Sequence, residues 1–447
     1  MKKLSKKLVA LGLAVAMGVA TLAGCGGGGS SSGGASSGDA GSADAGSASS
    51  GEKVTIKFVH KFPEERRMKY FEEIVADFEA KNPNIDIEMT AYGDEEIKDK
   101  IRVLLGSADA PDIYFTWSGE RIMQYVRAGN TMDITKYFEE DADWTNSFNQ
   151  AILATCNKDG SYWAVPWDYS SKEMIYNKKI FEDAGVTELP KTWNEFLDVC
   201  EKIKASGVTP ISIGNQYSWV VCHYLTTLNG KLVPKDVTEK NYSMEEVEYT
   251  DPGYAEALDM LKLLYDKGYT NSDINSMTWE ISQNAVQEGK AAMIYEEVQD
   301  FVNYEDTMGD NWGYFDFPEV EGAKGEAGYI TGGPDVFMVN SQCEHPDEAI
   351  TFLKYLTSPE VQSKMVYDLG FQPTTTVELD ESKCLPETVE VITKNLSAPG
   401  MSEWLDCVIN QTVSDTWLDG CQTIFEDETG ESIMKKVSET AKEVADE

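Results

Sequence analysis

The sequence predicts an α/β protein of two lobes. Three observations carry this. Strand-like and helix-like segments alternate from residue 54 onward. Residues 53–447 exceed what one hydrophobic core of ordinary size organises. The amphipathic segments resume, with the same alternation, in the second half.

The elements follow in order. "VTIKFVH" (54–60) places Val54, Ile56 and Phe58 on one face, a strand signature. "RRMKYFEEIVADFEAKNP" sets Met68, Phe71, Ile74, Val75 and Phe78 at helical spacing, and Pro83 marks its end. "IDIEMTAY" reads as a strand, "DEEIKDKIRVLLGSA" as a helix and "PDIYFTW" as a third strand, which implies a largely parallel sheet. "ERIMQYVRAG" is helical, with Gly129 closing it. Thr192 and Glu195 form a T-x-x-E capping box ahead of Trp193, Phe196, Cys200 and Ile203. "TPISIG" is a strand, and "DPGYAEALDMLKLLYDKGY" a helix with Tyr254, Leu258, Leu261 and Tyr265 inward. "EHPDEAITFLKYLTSPEVQSKMVYDLG" gives two helices, the second opened by Pro359. The Glu/Lys-rich C-terminus is expected to be an exposed helix.

The first 52 residues have a different logic. Lys2, Lys3, Lys6 and Lys7 precede a glycine-broken apolar run, the layout of an export signal covering residues 1–24. Leu22-Ala23-Gly24-Cys25 resembles the bacterial lipobox, which implies lipidation of Cys25. Residues 26–51 are all Gly, Ser, Ala or Asp. Such a chain cannot offset the entropy of ordering. As a flexible coil it spans roughly 28 Å, enough to act as a tether.

Composition narrows the function. The formal net charge is −39, and loss of the four signal lysines takes it to −43. That excludes electrostatic binding of nucleic acid or of an anionic bilayer. Seven cysteines follow Cys25, no CxxC occurs and only three histidines exist, so a zinc cluster is not expected. Free thiols are the simpler expectation, with Cys384, Cys407 and Cys421 the candidates for any one disulfide. No metal or cofactor is expected. The P-loop pattern is missing from the sequence.

Six segments, in order, resemble the extracellular solute-binding proteins of carbohydrate ABC importers, the group that includes maltose-binding protein. They are "FEAKNPNIDIE", "APDIYFTWSGERIMQYVRAGNTMDIT", "YWAVPWDYSSKEMIYNKKIFEDAGVTELPKTWNEF", "VQEGKAAMIYEE", "GGPDVFMVN" and "AITFLKYLTSPEVQSKM". The lipobox and tether resemble the Gram-positive lipoprotein form. The resemblance implies a periplasmic-binding-protein-like fold with a hinge of several crossing segments. It implies lobe one at 53–165 plus 296–340 and lobe two at 166–295 plus 341–447. It further implies a monomer on the outer face of the cytoplasmic membrane that delivers a small carbohydrate to membrane permease subunits.

A sugar receptor needs amides and carboxylates for paired hydrogen bonds and aromatic planes for stacking. The candidates at strand ends and crossings are His60 and Lys61, Trp117 and Glu120, and Trp167, Asp168 and Ser170. Asn215, Gln216 and Trp219 follow a lobe-two strand. Glu296 stands where many relatives have Gly and Trp nearby. Gly332, Gly333 and Asp335 would let backbone approach ligand, and Trp404 lies in a late region that often supplies a stacking ring. Two other functions compete. A glycoside hydrolase could use Asp168 and Glu296 as an acid pair, and the same fold could bind a polyamine or peptide. Acids are so abundant in this chain that one pair carries little information, and the expectation is a binding protein with no catalytic residue.

Overall fold

The computed structural model describes residues 53–446. The export signal, Cys25 and the tether lie outside the described residues.

Twelve strands are present among them: β1 (Val54–His60), β2 (Ile85–Ala91), β3 (Ile113–Trp117), β4 (Asn157–Lys158), β5 (Ser161–Tyr162), β6 (Val165–Asn177), β7 (Thr209–Ile211), β8 (Ala291–Glu297), β9 (Trp312–Phe315), β10 (Ile330–Val339), β11 (Gln372–Pro373) and β12 (Met401–Glu403). Apart from the β4–β5 hairpin they form one sheet, ordered β2-β1-β3-β10-β6-β8-β7, with β9 and β11 on β6 and β12 on β10. The outer pairs β1–β2, β1–β3 and β7–β8 are parallel, as strands joined by helical crossovers must be. The middle is antiparallel: β3–β10, β10–β6 and β6–β8. The expectation of a largely parallel sheet therefore holds only at the two ends. The centre is built from segments that cross between halves, and these run against their neighbours.

Two large apolar cores flank this centre. The first gathers Phe58, Phe71, Phe78, Ile113, Trp167 and Phe337. The second gathers Phe196, Val221, Leu225, Leu258, Tyr295 and Trp417. Burying each such side chain contributes about 1.5–3 kcal/mol, which is what holds each half together. A smaller cluster around Ile175, Ile294, Phe301 and Trp312 lies beside β6 and β8.

The segments distribute differently from the expected lobe boundaries. Helices Pro346–Leu356 and Pro359–Leu369 join the first core. Phe352 sits 5.2 Å from Phe58 and 5.0 Å from Phe78. Phe315 and Phe317 pack instead with the second core. The physical reason is the apolar face of 346–369, which covers strands of the N-terminal half.

Local signals were sound where they were strong. The Thr192–Glu195 capping box is closed in both directions. Gly129 takes a left-handed φ of 69° after the helix Glu120–Arg127. Helix Gly430–Asp446 is not free-standing as expected: Ile433, Met434, Val437 and Ala441 bury one face against the second core. Tyr265 is half-buried, against Phe425, rather than fully inward. All seven cysteines of the described residues are free thiols, including Cys384, Cys407 and Cys421.

Candidate functional site

A cavity of about 380 Å³ opens where the two cores face each other across the crossing strands. The first core supplies Lys61 after β1, the N-terminus of helix Asp94–Leu105, Trp117 at the end of β3, and Arg121. The second supplies Tyr217, Trp219, His223, Trp279 and Trp404. The crossing strands, with the short helical turn after β8, supply Ser170, Glu297, Gln299 and Asp335.

Local backbone explains several placements. Gly119 has a φ of +72°, and a Cβ there would lie 2.8 Å from the Cys407 carbonyl oxygen. Only glycine lets the turn after β3 approach the 404–408 segment this closely. Thr278 caps helix Trp279–Gln287 by accepting the Ile281 N–H, which puts Trp279 in the first turn at the cavity wall.

Four tryptophans and a histidine form the apolar lining. Trp219 and Trp279 lie with ring centroids 5.9 Å apart. His223 stacks on Trp404 at 4.0 Å and 21°. Trp219 Nε1 donates to Glu95 Oε1 at 2.8 Å, a bond from the second core to the first. Trp279 Nε1 donates to Glu296 Oε2 at 2.8 Å. Each of these two indole N–H groups is thus satisfied while the rings remain partly exposed at the cavity wall, the arrangement a stacking platform requires.

Charge surrounds these rings. The first core contributes the carboxylates Glu64, Asp94, Glu95 and Glu96, with Lys61, Arg67, Lys98 and Arg121. The remainder contributes Glu280, Glu297, Asp335 and Asp406 and no Lys or Arg, so acids outnumber bases two to one. Lys61 lies 3.1 Å from Asp335 and 3.4 Å from Asp94. Burial works against its ammonium, but Asp335, Asp94, Glu297 and Asp168 outweigh burial and raise its pKa. Burial also pushes the Asp335 carboxyl up to about 6, with Lys61 pulling the other way. Burial, then the charges of Lys172, Lys98 and Lys61, lower His223 well below its ordinary value, so it is a neutral ring at pH 7.

Over residues 63–363 the chain matches the family described as bacterial extracellular solute-binding protein. It belongs to that family. A multiple sugar-binding protein of Streptococcus mutans is 25% identical over 356 residues, covering 75% of this chain and 78% of that one. A diacetylchitobiose-binding protein of Streptomyces coelicolor is 25% identical over 319 residues, 67% and 69% of the two chains. An uncharacterized ABC transporter extracellular-binding protein of Pyrococcus horikoshii is 26% identical over 309 residues, and the match spans 65% of that protein's length. Among solved structures, a chitin oligosaccharide binding protein superposes with a TM-score of 0.80 at 22% identity, covering 89% of this chain and all of the other. The fold is therefore the two-lobe fold of solute-binding proteins, and the chain is a binding protein rather than an enzyme.

In this solute-binding protein, six of the residues singled out from sequence line the cavity: Lys61, Trp117, Ser170, Trp219, Asp335 and Trp404. The others do not, each for a physical reason. His60 is fully buried, 4.2 Å from the Phe71 ring, and burial lowers it to about 3. Glu120 turns to Arg127. Trp167 is fully buried against Phe62 and Phe71, within the first core. Asp168 is buried beside Asp335, its cross-strand partner. Asn215 spends its amide on Asn275 and the Cys421 carbonyl, at 2.8 and 3.0 Å. Gln216 is exposed outside the cavity. Glu296 is fully buried between Lys172 and Trp279. Gly332 and Gly333 serve packing: a Cβ would lie 2.1 Å from the Ser170 carbonyl oxygen and 2.9 Å from Trp404 Cδ1.

Sequence reasoning missed Trp279, Tyr217, His223, Glu95, Lys98 and Asp406. A signal existed for one of them. Trp279 follows Thr278 at a helix start, as Trp193 follows Thr192, but Trp193 is a core residue.

Proposed function

We propose that this solute-binding protein captures a sugar or oligosaccharide in the cavity between its lobes and delivers it to the membrane subunits of an ABC importer. The observation that carries this reading is the set of four tryptophan rings around one cavity with hydrogen-bonding side chains between them. Rings meet the C–H faces of a pyranose, and amides and carboxylates meet its hydroxyls. Relatives and structural neighbours include a multiple sugar-binding protein, a diacetylchitobiose-binding protein, a chitin oligosaccharide binding protein and a solute-binding protein in complex with raffinose. The residues proposed to touch ligand are Lys61, Trp117, Ser170, Trp219, Asp335 and Trp404, joined by Trp279, Tyr217, Glu297 and Gln299.

The lobes meet along β6, β8 and β10, and ligand contacts to both sides would bias them toward closure. Anchoring belongs to this reading as well. Lipidated Cys25 holds the protein at the outer face of the membrane, and residues 26–51 give it reach. Among the described residues no helix is long and apolar enough to cross a membrane.

The test is a thermal-shift screen of the mature chain against mono- and oligosaccharides, with peptides and spermidine as controls. A ligand at 100 times its dissociation constant adds ~2.7 kcal/mol of stability. A shift with a saccharide is the expected result. A shift with spermidine or peptide alone overturns the cargo assignment. The acid excess of the cavity favours that second, polyamine reading, whose affinity would fall steeply with added salt.

A further inference from the structure

The charge lining the cavity exceeds what a neutral sugar needs. A neutral saccharide is held by hydrogen bonds and stacking; carboxylates can accept from its hydroxyls, but it leaves their negative charge uncompensated. Four cavity carboxylates, Glu64, Glu280, Glu297 and Asp406, have no Lys or Arg within hydrogen-bond distance among the described residues.

Asp406 decides the matter. It is 8% exposed, and its Oδ1 has no hydrogen-bond partner. Its Oδ2 lies 3.8 Å from Arg121 Nη2, beyond hydrogen-bond reach. Burying a carboxylate oxygen without a donor is costly. Arg121 lies on the Oδ2 side, Oδ1 is sealed from solvent, and among the described residues no donor hydrogen-bonds this cavity-wall carboxylate. The neighbouring rings suit a cation too. Trp117 already holds the ammonium of Lys61 at 5.1 Å and that of Lys98 at 5.5 Å, so indole faces here attract positive charge. Trp404, two residues before Asp406, lines the same cavity.

We infer that the cargo is an amine-bearing saccharide whose protonated amino group is held by Asp406, with the sugar rings on the tryptophans. This deepens the sugar reading above and rests on it. N-acetylation of the amine would remove the charge and add bulk at Asp406, so matched sugars with and without the acetyl group separate this inference from the broader one.

The experiment is calorimetric titration of the mature chain at fixed ionic strength. The probes are glucosamine and galactosamine monomers, the glucosamine trimer, their N-acetylated counterparts, maltotriose, xylotriose and spermidine. The expected result is that an amine-bearing sugar binds at least tenfold tighter than its acetylated partner. Asp406→Asn is expected to erase that ratio, and Glu280→Gln, at an exposed position, to reduce it less. Should Asp406→Asn fail to fold, the paired titrations of the unaltered protein decide alone. An acetylated or neutral sugar that binds as tightly as the amine form overturns this inference and leaves the sugar reading standing. Spermidine binding without any saccharide overturns both, and no binding of any amine-bearing sugar overturns the inference.

Discussion

Trp193 and Trp279 show how far a single side chain can be read. Both follow a threonine cap and precede an acidic helix turn. One lies in the second core beside Phe196, the other at the cavity wall. Local chemistry is nearly the same, so only the tertiary position of the helix separates them. Trp219 carries the clearest functional expectation. Trp219→Ala removes a ring and the bond to Glu95, and should weaken ligand binding tenfold or more, about 1.4 kcal/mol. Trp219→Phe keeps a ring and should lose less. Titration calorimetry on both variants checks this, and unchanged affinity in the alanine variant would take Trp219 out of the site. Glu173 carries an expectation about pH. Burial pushes its carboxyl up to about 7 from 4.5, although Lys394 pulls it down. The folded state therefore retains a proton that the unfolded chain releases, and its contribution falls as pH rises from about 4.5 to about 7. Urea midpoints measured across that window should decline for the native sequence, with a shallower decline in Glu173→Gln. An equal slope in both would assign the effect to other groups.

Elements were legible in proportion to how local their causes are. Strand β1, the helix Glu65–Lys81 and the Thr192 capping box rest on spacing and caps, which a sequence displays directly. Thr192→Ala should cost about 1 kcal/mol of stability in denaturant titration, and a negligible change would mean that Glu195 alone sustains the helix start. The antiparallel centre of the sheet was not legible, because strand neighbours there are far apart in sequence. Asp335 pairs with Asp168 and with Trp117 across long connections. The site was legible to the same degree. Lys61 and Trp117 end strands that sequence locates, and both reach the cavity. Asn215 also follows a strand, but a short one whose end is held by Asn275 and Cys421. Gly119 belongs to this scale as well. Gly119→Ala combines an unfavourable φ with a 2.8 Å approach to Cys407. It should lower the melting temperature and weaken ligand binding together, which a thermal-shift series with and without ligand reads.

At the scale of the whole molecule, charge and attachment act together. The full sequence carries a formal net charge of −39, which disfavours electrostatic adhesion to anionic lipid, so the proposed residence at the membrane rests on the proposed acyl anchor. Cys25→Ser should move the protein from the membrane fraction to the medium, as fractionation and blotting would show. Retention at the membrane would point to an uncleaved signal instead.

Strand β6 runs for thirteen residues. Val165 and Trp167 belong to the first core, Met174 to the second and Ile175 to the small cluster beside it. Neither half owns this strand, and neither can melt without unzipping the ladder that the other depends on. Heating should therefore produce one calorimetric peak, with calorimetric and van't Hoff enthalpies in agreement, from a chain that has two cores. For a solute-binding protein proposed to close around its cargo and reopen, such all-or-none melting keeps a half-unfolded, protease-sensitive form scarce.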